Sequence, residues 1–137
     1  MKKYVLGFAF SEDKKAVVLI LKDKPDWQKG KWNGVGGKVE LSDQSNAQAM
    51  VREFYEETGV QTELTDWKRF AELDFPEAEV FCFKMFSNAI KDCSTCESEV
   101  VDLCSVKNVF KRNLVDNLHV LIRLALQSEF SYTILMQ

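Results

Sequence analysis

Residues 37–60 have the sequence GKVELSDQSNAQAMVREFYEETGV, which joins a glycine bend to a full set of helix signals. Ser45 and Gln48 form a capping-box pattern, and Gly59 stands where a helix stop belongs. Between them, four apolar residues repeat at helical spacing: Ala47, Met50, Val51 and Phe54. The stretch therefore predicts a helix over Asn46–Thr58 with one face in the core.

The polar side of this helix carries an acidic cluster. Glu53, Glu56 and Glu57 are three and four residues apart, so they project from one face. Like charges at this spacing destabilise a helix by about 0.2–0.5 kcal/mol per pair, which a bound cation would offset. Carboxylate oxygens suit Mg²⁺, with Mn²⁺ as a second choice. The alternative is a solvated acidic face, the usual situation on a glutamate-rich helix.

The remaining elements surround this helix in a simple order. Residues 4–10 and 16–21 predict a β-hairpin, and further strands are predicted near residue 32 and over 61–73, 80–86 and 132–136. The apolar repeat over residues 114–126 predicts a second helix. Strands, helix, strands and helix together indicate an α/β (α+β) fold, a mixed sheet with helices packed on it.

Length and charge restrict the class of protein. The 137 residues fit one domain spanning 1–137, with 46% hydrophobic residues to form its core. The net charge of -3 gives no general attraction to a nucleic acid polymer or an anionic membrane. The sequence has no apolar run long enough to span a bilayer, and its four unevenly spaced cysteines suggest free thiols. We expect a cytoplasmic protein.

The glycine bend and the acidic helix together resemble the signature of the Nudix hydrolase family. The residues that carry the resemblance are Gly36, Gly37, Lys38, Arg52, Glu53, Glu56, Glu57 and Gly59. The resemblance implies an α/β/α sandwich and Mg²⁺-dependent cleavage of the diphosphate linkage of a nucleotide. It also implies that Glu53, Glu56, Glu57 and the Gly37 carbonyl bind the metal, and that Arg52 orients the acidic residues.

The spacing ahead of the helix departs from the family pattern. Asp43 takes the place of the acid that follows the second glycine, with five residues between them, and eight residues instead of the usual seven separate it from Arg52. We infer a one-residue insertion in the loop. The spacing inside the helix, which fixes the metal geometry, is unchanged.

The resemblance does not decide which carboxylate is the general base or which residue binds the phosphate. Glu56 or Glu57 could activate the attacking water, as could Glu97 or Glu99 in a later loop, where the alternative role is solubility. Lys38 beside the glycines could contact a phosphate as a point charge or be an ordinary surface lysine.

The pair Trp32-Asn33 before the glycines is similar to the branch of the family that hydrolyses nucleoside triphosphates, the MutT-like branch. In that branch the asparagine reads a purine base, which implies this role for Asn33; the alternative is a turn-forming residue before the next glycine. Trp27 is a candidate for base stacking. Asp102 is the candidate acidic base-reading residue.

The resemblance to this branch implies a (deoxy)nucleoside triphosphate pyrophosphohydrolase that releases a nucleoside monophosphate and pyrophosphate, with oxidised purines as one substrate class. A hydrolase of ADP-ribose or another nucleoside diphosphate derivative is the first alternative, with Pro76 as its pointer. A catalytically silent nucleotide-binding regulator is the second. A monomer or homodimer is expected, with a nucleotide as the partner.

Overall fold

The computed structural model of the protein describes residues 1–127 and 129–137. The strands, in chain order, are β1 (Lys2–Phe10), β2 (Ala16–Leu21), β3 (Trp32–Asn33), β4 (Val35–Lys38), β5 (Lys68–Asp74), β6 (Ala78–Phe86), β7 (Val100–Ser105) and β8 (Tyr132–Leu135). The α-helices are α1 (Asn46–Thr58), α2 (Val106–Val109) and α3 (Leu118–Gln127). Short 3-10 turns occur at Asp26–Gln28, Leu64–Asp66 and Asn88–Asp92.

One mixed sheet contains all of these strands. Strand β1 lies at its centre, parallel to β6 on one side and antiparallel to β4 and β2 on the other. Beyond β6 lie β5 and then β8, while β3 and β7 both pair with β2. Because Val5 pairs with Gly37 and Leu6 with Gly36, the two glycines of the predicted glycine bend belong to strand β4 and lie against the central strand of the sheet.

Two apolar clusters fill the two faces of the sheet. On one face, α1 buries Ala49, Met50 and Phe54 against side chains such as Val5 and Phe81. On the other face, α3 packs its apolar stripe against strand side chains, and the residues of this stripe are Leu118, Leu121, Ile122 and Ala125. Alternate strand residues point to opposite faces, so strands β1, β2, β6 and β7 contribute side chains to both clusters. The predicted α/β/α sandwich with a mixed sheet is confirmed.

Two smaller expectations can be checked at this level. The four cysteines, Cys82, Cys93, Cys96 and Cys104, are free thiols, as the sequence suggested. Over residues 1–127 and 129–137, every helix is too short or too polar to cross a bilayer.

Strand β5 begins later than the sequence pattern predicted. The predicted strand over residues 61–73 starts only at Lys68, because residues before it form a capped 3-10 turn. In that turn the Glu63 backbone N–H donates to the Asp66 carboxylate at 2.8 Å. The Trp67 indole donates to the Thr62 hydroxyl at 2.9 Å. Local side-chain hydrogen bonds thus replace the ladder bonds that a longer strand would need.

The C-terminal part differs from expectation at two places. Strand β7, Val100–Ser105, was not among the strands predicted from the sequence, but it pairs with β2 along its whole length. Helix α3 begins at Leu118 instead of Leu114, because Val115 donates its backbone N–H to the Trp32 carbonyl at 2.9 Å. The predicted final strand is confirmed as Tyr132–Leu135, which runs parallel to β5.

Candidate functional site

Helix α1 presents the acidic residues from a well-capped scaffold. The Ser45 hydroxyl accepts the Gln48 backbone N–H at 3.1 Å, as the capping pattern predicted. The Gln48 side chain accepts from Gln44 instead of completing the box on Ser45. Gly59 ends the helix in the left-handed conformation at φ 77°, which glycine adopts without steric cost. The predicted bounds, Asn46–Thr58, match the structure.

The glycine bend allows the acidic helix to approach the backbone of the sheet. A Cβ atom on Gly37 would stand 2.4 Å from the Glu53 Oε1 atom, so this carboxylate packs directly on the glycine. A Cβ atom on Gly36 would stand 2.0 Å from the Val5 carbonyl oxygen, which is a backbone clash. Gly36 is therefore required by the sheet, whereas Gly37 is required by the acidic residue above it.

Arg52 organises the acidic residues around its guanidinium group. Its Nη1 atom donates to Glu53 Oε1 and to Glu56 Oε1, each at 3.0 Å. Its Nε and Nη2 atoms donate to the two oxygens of Asp43, each at 2.9 Å. Nη2 also reaches the backbone carbonyl of Lys38 at 3.1 Å, which ties the helix to β4. The hydrogen bond to Asp43 is the main cause of a raised Arg52 pKa, so the guanidinium stays charged.

Asp43 is the buried acid of this arrangement. Its side chain is only 3% exposed, and it also accepts the Glu40 backbone N–H at 2.8 Å. The hydrogen bond from Arg52 holds its pKa below the usual value, against the opposing effect of burial. The loop between β4 and α1 therefore delivers the Asp43 carboxylate to Arg52, with eight residues between the two.

Glu57 has the most perturbed environment of the acidic residues on α1. Burial, together with the charges of Glu97, Glu99 and Glu53, raises its pKa to about 7. Its Oε2 atom is buried and has no hydrogen-bond partner among the residues the structure describes. An unpaired carboxylate oxygen in a buried position is unfavourable unless a proton or a cation compensates it.

A loop from the other end of the sheet covers this part of α1. The backbone N–H of Ser94 donates to the Thr58 carbonyl at 3.0 Å, and that of Cys96 donates to the Glu57 carbonyl at 3.3 Å. These bonds satisfy carbonyls that the helix end leaves open. They also bring Glu97 near Glu57, and the Glu97 charge has the largest effect of the three carboxylates that raise the Glu57 pKa.

The three glutamates of α1 do not form one compact ligand set. Glu53 and Glu56 share Arg52, whereas the Glu57 side chain has no bond to Arg52 among the described residues. Among residues 1–127 and 129–137, one group of three His, Cys, Asp or Glu side chains has its ligand atoms within 4.8 Å of one another. It consists of Glu72, Asp74 and Glu79. That trio lies on β5 and β6. Burial raises the pKa of Glu53, and the hydrogen bond from Arg52 opposes this.

Glu99 is held in place by three hydrogen-bond donors. The Lys22 ammonium lies 3.0 Å from its Oε1 atom. Its Oε2 atom accepts the backbone N–H of Asp23 at 2.7 Å and that of Lys24 at 3.4 Å. Burial favours a higher pKa for Glu99, but these bonds outweigh it and the pKa is lowered. Glu99 is thus a fixed, ionised carboxylate that joins β7 to the loop after β2.

A cavity of about 700 Å³ opens beside the glycine bend, a size that suits a small ligand. Two of the predicted substrate residues, Trp27 and Asn33, line it, and Gly36 and Gly37 form part of its wall. Most of the remaining wall is apolar, and its apolar residues include Leu6, Leu73, Phe75, Val80, Leu121 and Met136. Since Gly37 lines the cavity and also contacts Glu53, the cavity and the acidic residues are adjacent.

The other two predicted substrate residues lie outside the cavity wall. The Lys38 side chain is exposed, and its backbone carbonyl accepts from Arg52. Asp102 on β7 forms an ion pair with Arg112 at 2.9 Å, and Arg112 also stacks on the Trp32 ring with 4.6 Å to its centroid. Neither residue contacts the cavity in this structure, so their contact with substrate stays a prediction.

Polar residues that the sequence did not single out also line the cavity. Asp116 and Asn117, just before α3, stand on its wall, as do Gln28 and Lys24. Asn117 has a left-handed backbone with φ 70°, a conformation that asparagine tolerates better than most residues. In the sequence, an Asp-Asn pair at this place indicates only the start of a helix. It reaches the cavity because the neighbouring Val115 bonds to the Trp32 backbone, a contact that the sequence does not reveal.

Comparison with known proteins agrees with this geometry. The NUDIX domain profile matches residues 2–123 of the chain. A solved MutT structure, from work on Aliivibrio salmonicida and Vibrio cholerae, is 23% identical with a TM-score of 0.76, covering 93% of this chain and 98% of its own. The mutator MutT protein of Bacillus halodurans is 19% identical with a TM-score of 0.73, covering 100% and 91%.

A further solved structure carries a nucleotide ligand. It is the NUDIX domain of Shewanella oneidensis NrtR in complex with ADP ribose, which is 20% identical with a TM-score of 0.76 and covers 91% of this chain and 86% of its own. No curated protein matches the chain by sequence. The solved structures show a shared fold, and the profile match spans most of the chain with the acidic helix inside it. The chain therefore belongs to the Nudix hydrolase family.

Proposed function

We propose that this protein is a metal-dependent pyrophosphohydrolase that cleaves a (deoxy)nucleoside triphosphate into a nucleoside monophosphate and pyrophosphate. The observation that carries the proposal is the contact of Gly37 with both the cavity and Glu53. A nucleoside in the cavity would thus direct its phosphates toward the acidic residues that Arg52 organises. A cytoplasmic enzyme acting on free nucleotides is consistent with this proposal.

The residues present fit a hard divalent cation. Two observations at Glu57 support a cation there: its buried Oε2 atom has no partner among the described residues, and burial and the neighbouring carboxylates raise its pKa. Glu53, Glu56, Glu57 and the Gly37 carbonyl are oxygen donors of the type that Mg²⁺ or Mn²⁺ accepts. Bound there, the ion would offset phosphate charge and lower the pKa of a bound water.

The protein side chains have separate tasks in this proposal. Arg52 keeps Glu53 and Glu56 in place through its Nη1 atom, and Asp43 keeps Arg52 in place. Lys22 and Glu99 fix the loop that carries Lys24 to the cavity wall. Positioning of this kind supplies most of the catalysis in phosphoryl transfer.

The chemical step is hydrolysis. The water oxygen bonds to phosphorus, the bridging P–O bond breaks, and a carboxylate takes the water proton. Glu56, Glu57 and the exposed loop residue Glu97 are the candidates for this base. We propose a supporting role for Glu99, because both of its oxygens are already engaged and its pKa is lowered.

The nucleoside would lie in the cavity. Its apolar walls suit the faces of a base and a sugar, and the exposed Trp27 ring at the rim could stack on a base. Asn33, Asp116 and Asn117 offer polar groups that can bind base edges. Oxidised purines are one class to test, because they differ from ordinary purines in those edges.

Hydrolysis of a nucleoside diphosphate derivative is a second candidate. It is motivated by two neighbours, the NrtR domain with ADP ribose and a Francisella tularensis bifunctional NMN adenylyltransferase/ADP ribose pyrophosphatase complexed with AMP and Mn. The latter is 17% identical with a TM-score of 0.70, and this chain covers 41% of it. The products distinguish the two reactions, since only triphosphate cleavage releases pyrophosphate.

The test is a product assay with and without Mg²⁺. The protein would be incubated with purine and pyrimidine triphosphates, an oxidised guanine triphosphate and ADP-ribose. We expect Mg²⁺-dependent release of pyrophosphate and monophosphate. We also expect its loss in Glu57→Gln and its retention in Glu63→Gln, a glutamate outside the site. Cleavage of ADP-ribose alone would contradict the triphosphate assignment, and a folded, nucleotide-binding protein without turnover on any substrate would indicate a regulator.

A further inference from the structure

Two side-chain amides on the cavity wall are hydrogen-bonded to each other. Asn33 Nδ2 donates to Gln28 Oε1 at 3.2 Å, and Asn33 Oδ1 accepts the Gly34 backbone N–H at 2.8 Å. Both side chains are partly buried, and both line the cavity. The residue expected to read the base is therefore already engaged by a neighbour that the sequence did not indicate.

The backbone fixes the orientation of both amides. A peptide N–H can only donate, so the Asn33 atom that faces the Gly34 N–H is its oxygen. The Asn33 nitrogen then faces Gln28, and the Gln28 atom that meets it must be an acceptor, its own oxygen. A flip of either amide would place two donors or two acceptors together.

This orientation decides what the pair offers to a ligand. Gln28 Nε2 keeps both of its hydrogens, because no acceptor for it occurs in residues 1–127 or 129–137. Asn33 keeps one hydrogen on Nδ2 and one lone pair on Oδ1. Gln28 Oε1 also keeps one lone pair, because it accepts only the bond from Asn33. Of the positions left for a ligand, three are donors and two are acceptors.

The turn that carries Gln28 is held by backbone bonds on both sides. The Gln28 N–H donates to the Pro25 carbonyl at 2.9 Å, and the Gln28 carbonyl accepts the Lys31 N–H at 2.9 Å. The Gly30 N–H closes the loop onto the Lys22 carbonyl at 2.9 Å. Gln28 is thus preorganised, and little conformational entropy is lost when a ligand binds to it.

We propose that Gln28 is a specificity-determining residue that positions Asn33 and donates its own amide hydrogens to the nucleobase. An excess of donors fits a base edge rich in acceptors, such as O6 and N7 of guanine. The matching edge of adenine places an amino donor beside N7 and is disfavoured. The inference rests on the proposed function only in that the cavity receives the base.

The test compares binding of GMP and AMP by isothermal titration calorimetry, which requires no turnover. We expect the wild-type protein to bind GMP roughly tenfold more tightly than AMP, which is the discrimination typical of one good amide–base pair. Gln28→Ala should lose most of this preference. Gln28→Glu retains an acceptor for Asn33 but lacks the donors, so it should also lose the preference while its melting temperature stays near that of the wild type.

A matched control and a kinetic measurement complete the test. Lys29→Ala alters the exposed neighbour in the same turn and should leave the GMP preference unchanged. With guanine and adenine triphosphates, both Gln28 variants should raise KM for guanine several-fold and leave kcat within about twofold. A purely structural role would instead be rescued by Gln28→Glu.

The outcomes separate this inference from the proposed reaction. Equal binding of GMP and AMP by the wild type, binding of neither, or an unchanged preference in Gln28→Glu would overturn the role of Gln28. Hydrolysis could still be intact in each case. Selective GMP binding that depends on Gln28, without turnover of any nucleotide, would support Gln28 and contradict the pyrophosphohydrolase.

Discussion

Arg52 and Asp43 form a two-point ion pair, with Nε on Oδ1 and Nη2 on Oδ2 at 2.9 Å each. Paired parallel bonds of this type fix the plane of a guanidinium group as well as its position. That plane decides where Nη1 points, and Nη1 holds Glu53 and Glu56. Asp43 thus acts on the acidic residues through Arg52, across the loop with the extra residue.

The first prediction concerns this pair. Asp43→Asn keeps the size of the side chain but replaces one acceptor by an NH₂ donor that faces the guanidinium. We expect about a 10–100-fold loss of metal affinity or turnover, the effect usual for residues that orient metal ligands. We also expect a loss of about 2 kcal/mol in the free energy of unfolding, because a hydrogen bond to a charged group is broken.

Steady-state kinetics and urea unfolding would measure these two effects. Asp26→Asn is the matched control, an exposed aspartate in the turn before Gln28. Unchanged kinetics in Asp43→Asn would show that the other partners of Arg52 hold its orientation, among them the Lys38 carbonyl and the Glu40 carboxylate at 3.1 Å.

The second prediction concerns Gly37. Because its Cβ atom would stand 2.4 Å from Glu53 Oε1, Gly37→Ala must displace this carboxylate. We expect turnover to fall by about two orders of magnitude, as is usual when a catalytic group is misplaced, with a modest change in melting temperature. Gly36→Ala instead meets the Val5 carbonyl and should destabilise the sheet. Similar melting temperatures for the two variants would contradict the distinction.

The helix could be predicted from the sequence because its signals are local. Ser45, the apolar repeat and Gly59 lie within the segment that they define, and the structure reproduces its bounds. The loop before it brings Asp43 to Arg52 although eight residues separate them, since an exposed loop can absorb a change in length at little cost. The fold class followed from the order of such segments.

The features that were wrong or missed depend on partners distant in sequence. Strand β7 forms because β2 offers it a free edge, and residues 100–105 contain no turn or periodicity signal that reveals this. Asp116 and Asn117 reach the cavity through the pairing of Val115 with Trp32. The amide partner of Asn33 likewise depends on how the loop over residues 22–31 closes.

The third prediction concerns stability and pH in the metal-free protein. Glu57 has its pKa raised from 4.5 to about 7, so its contribution to stability is fully present below pH 4.5 and is lost as the pH rises through 7. Glu57→Gln carries no charge and should lack this loss. We expect the free energy of unfolding of the variant to increase by about 1 kcal/mol relative to that of the wild type from pH 5 to pH 8, after allowance for solvent screening.

Urea unfolding with a chelator at the two pH values would measure this difference. Glu63→Gln, a change at an exposed glutamate, should follow the wild type. If the free energies of unfolding of Glu57→Gln and the wild type change in parallel with pH, Glu57 is not the group that titrates.

The fourth prediction concerns metal binding. A cation at Glu57 competes with the proton that this residue holds near neutral pH, so binding of Mg²⁺ or Mn²⁺ should release protons. The affinity should rise about tenfold between pH 6 and pH 8, with about half of the increase on each side of pH 7 as the ionised fraction of Glu57 grows, and then level off. Calorimetry in two buffers of different ionisation enthalpy counts the protons released. A pH-independent affinity without proton release would place the cation away from Glu57.

The last prediction separates two roles for Glu99. Its oxygens bind Lys22 and two backbone N–H groups, and its charge helps to raise the pKa of Glu57. Glu99→Gln removes the charge but can still accept the backbone bonds. If Glu99 is a supporting residue, the variant should retain turnover within about tenfold, and the acidic limb of its pH–rate profile should move to lower pH.

A general base cannot be replaced by an amide, so a folded Glu99→Gln protein that loses turnover by about 10³-fold or more would assign proton transfer to Glu99 itself. Glu97→Gln, in the same loop but without these backbone bonds, is the comparison that shows which of the two carboxylates the reaction needs.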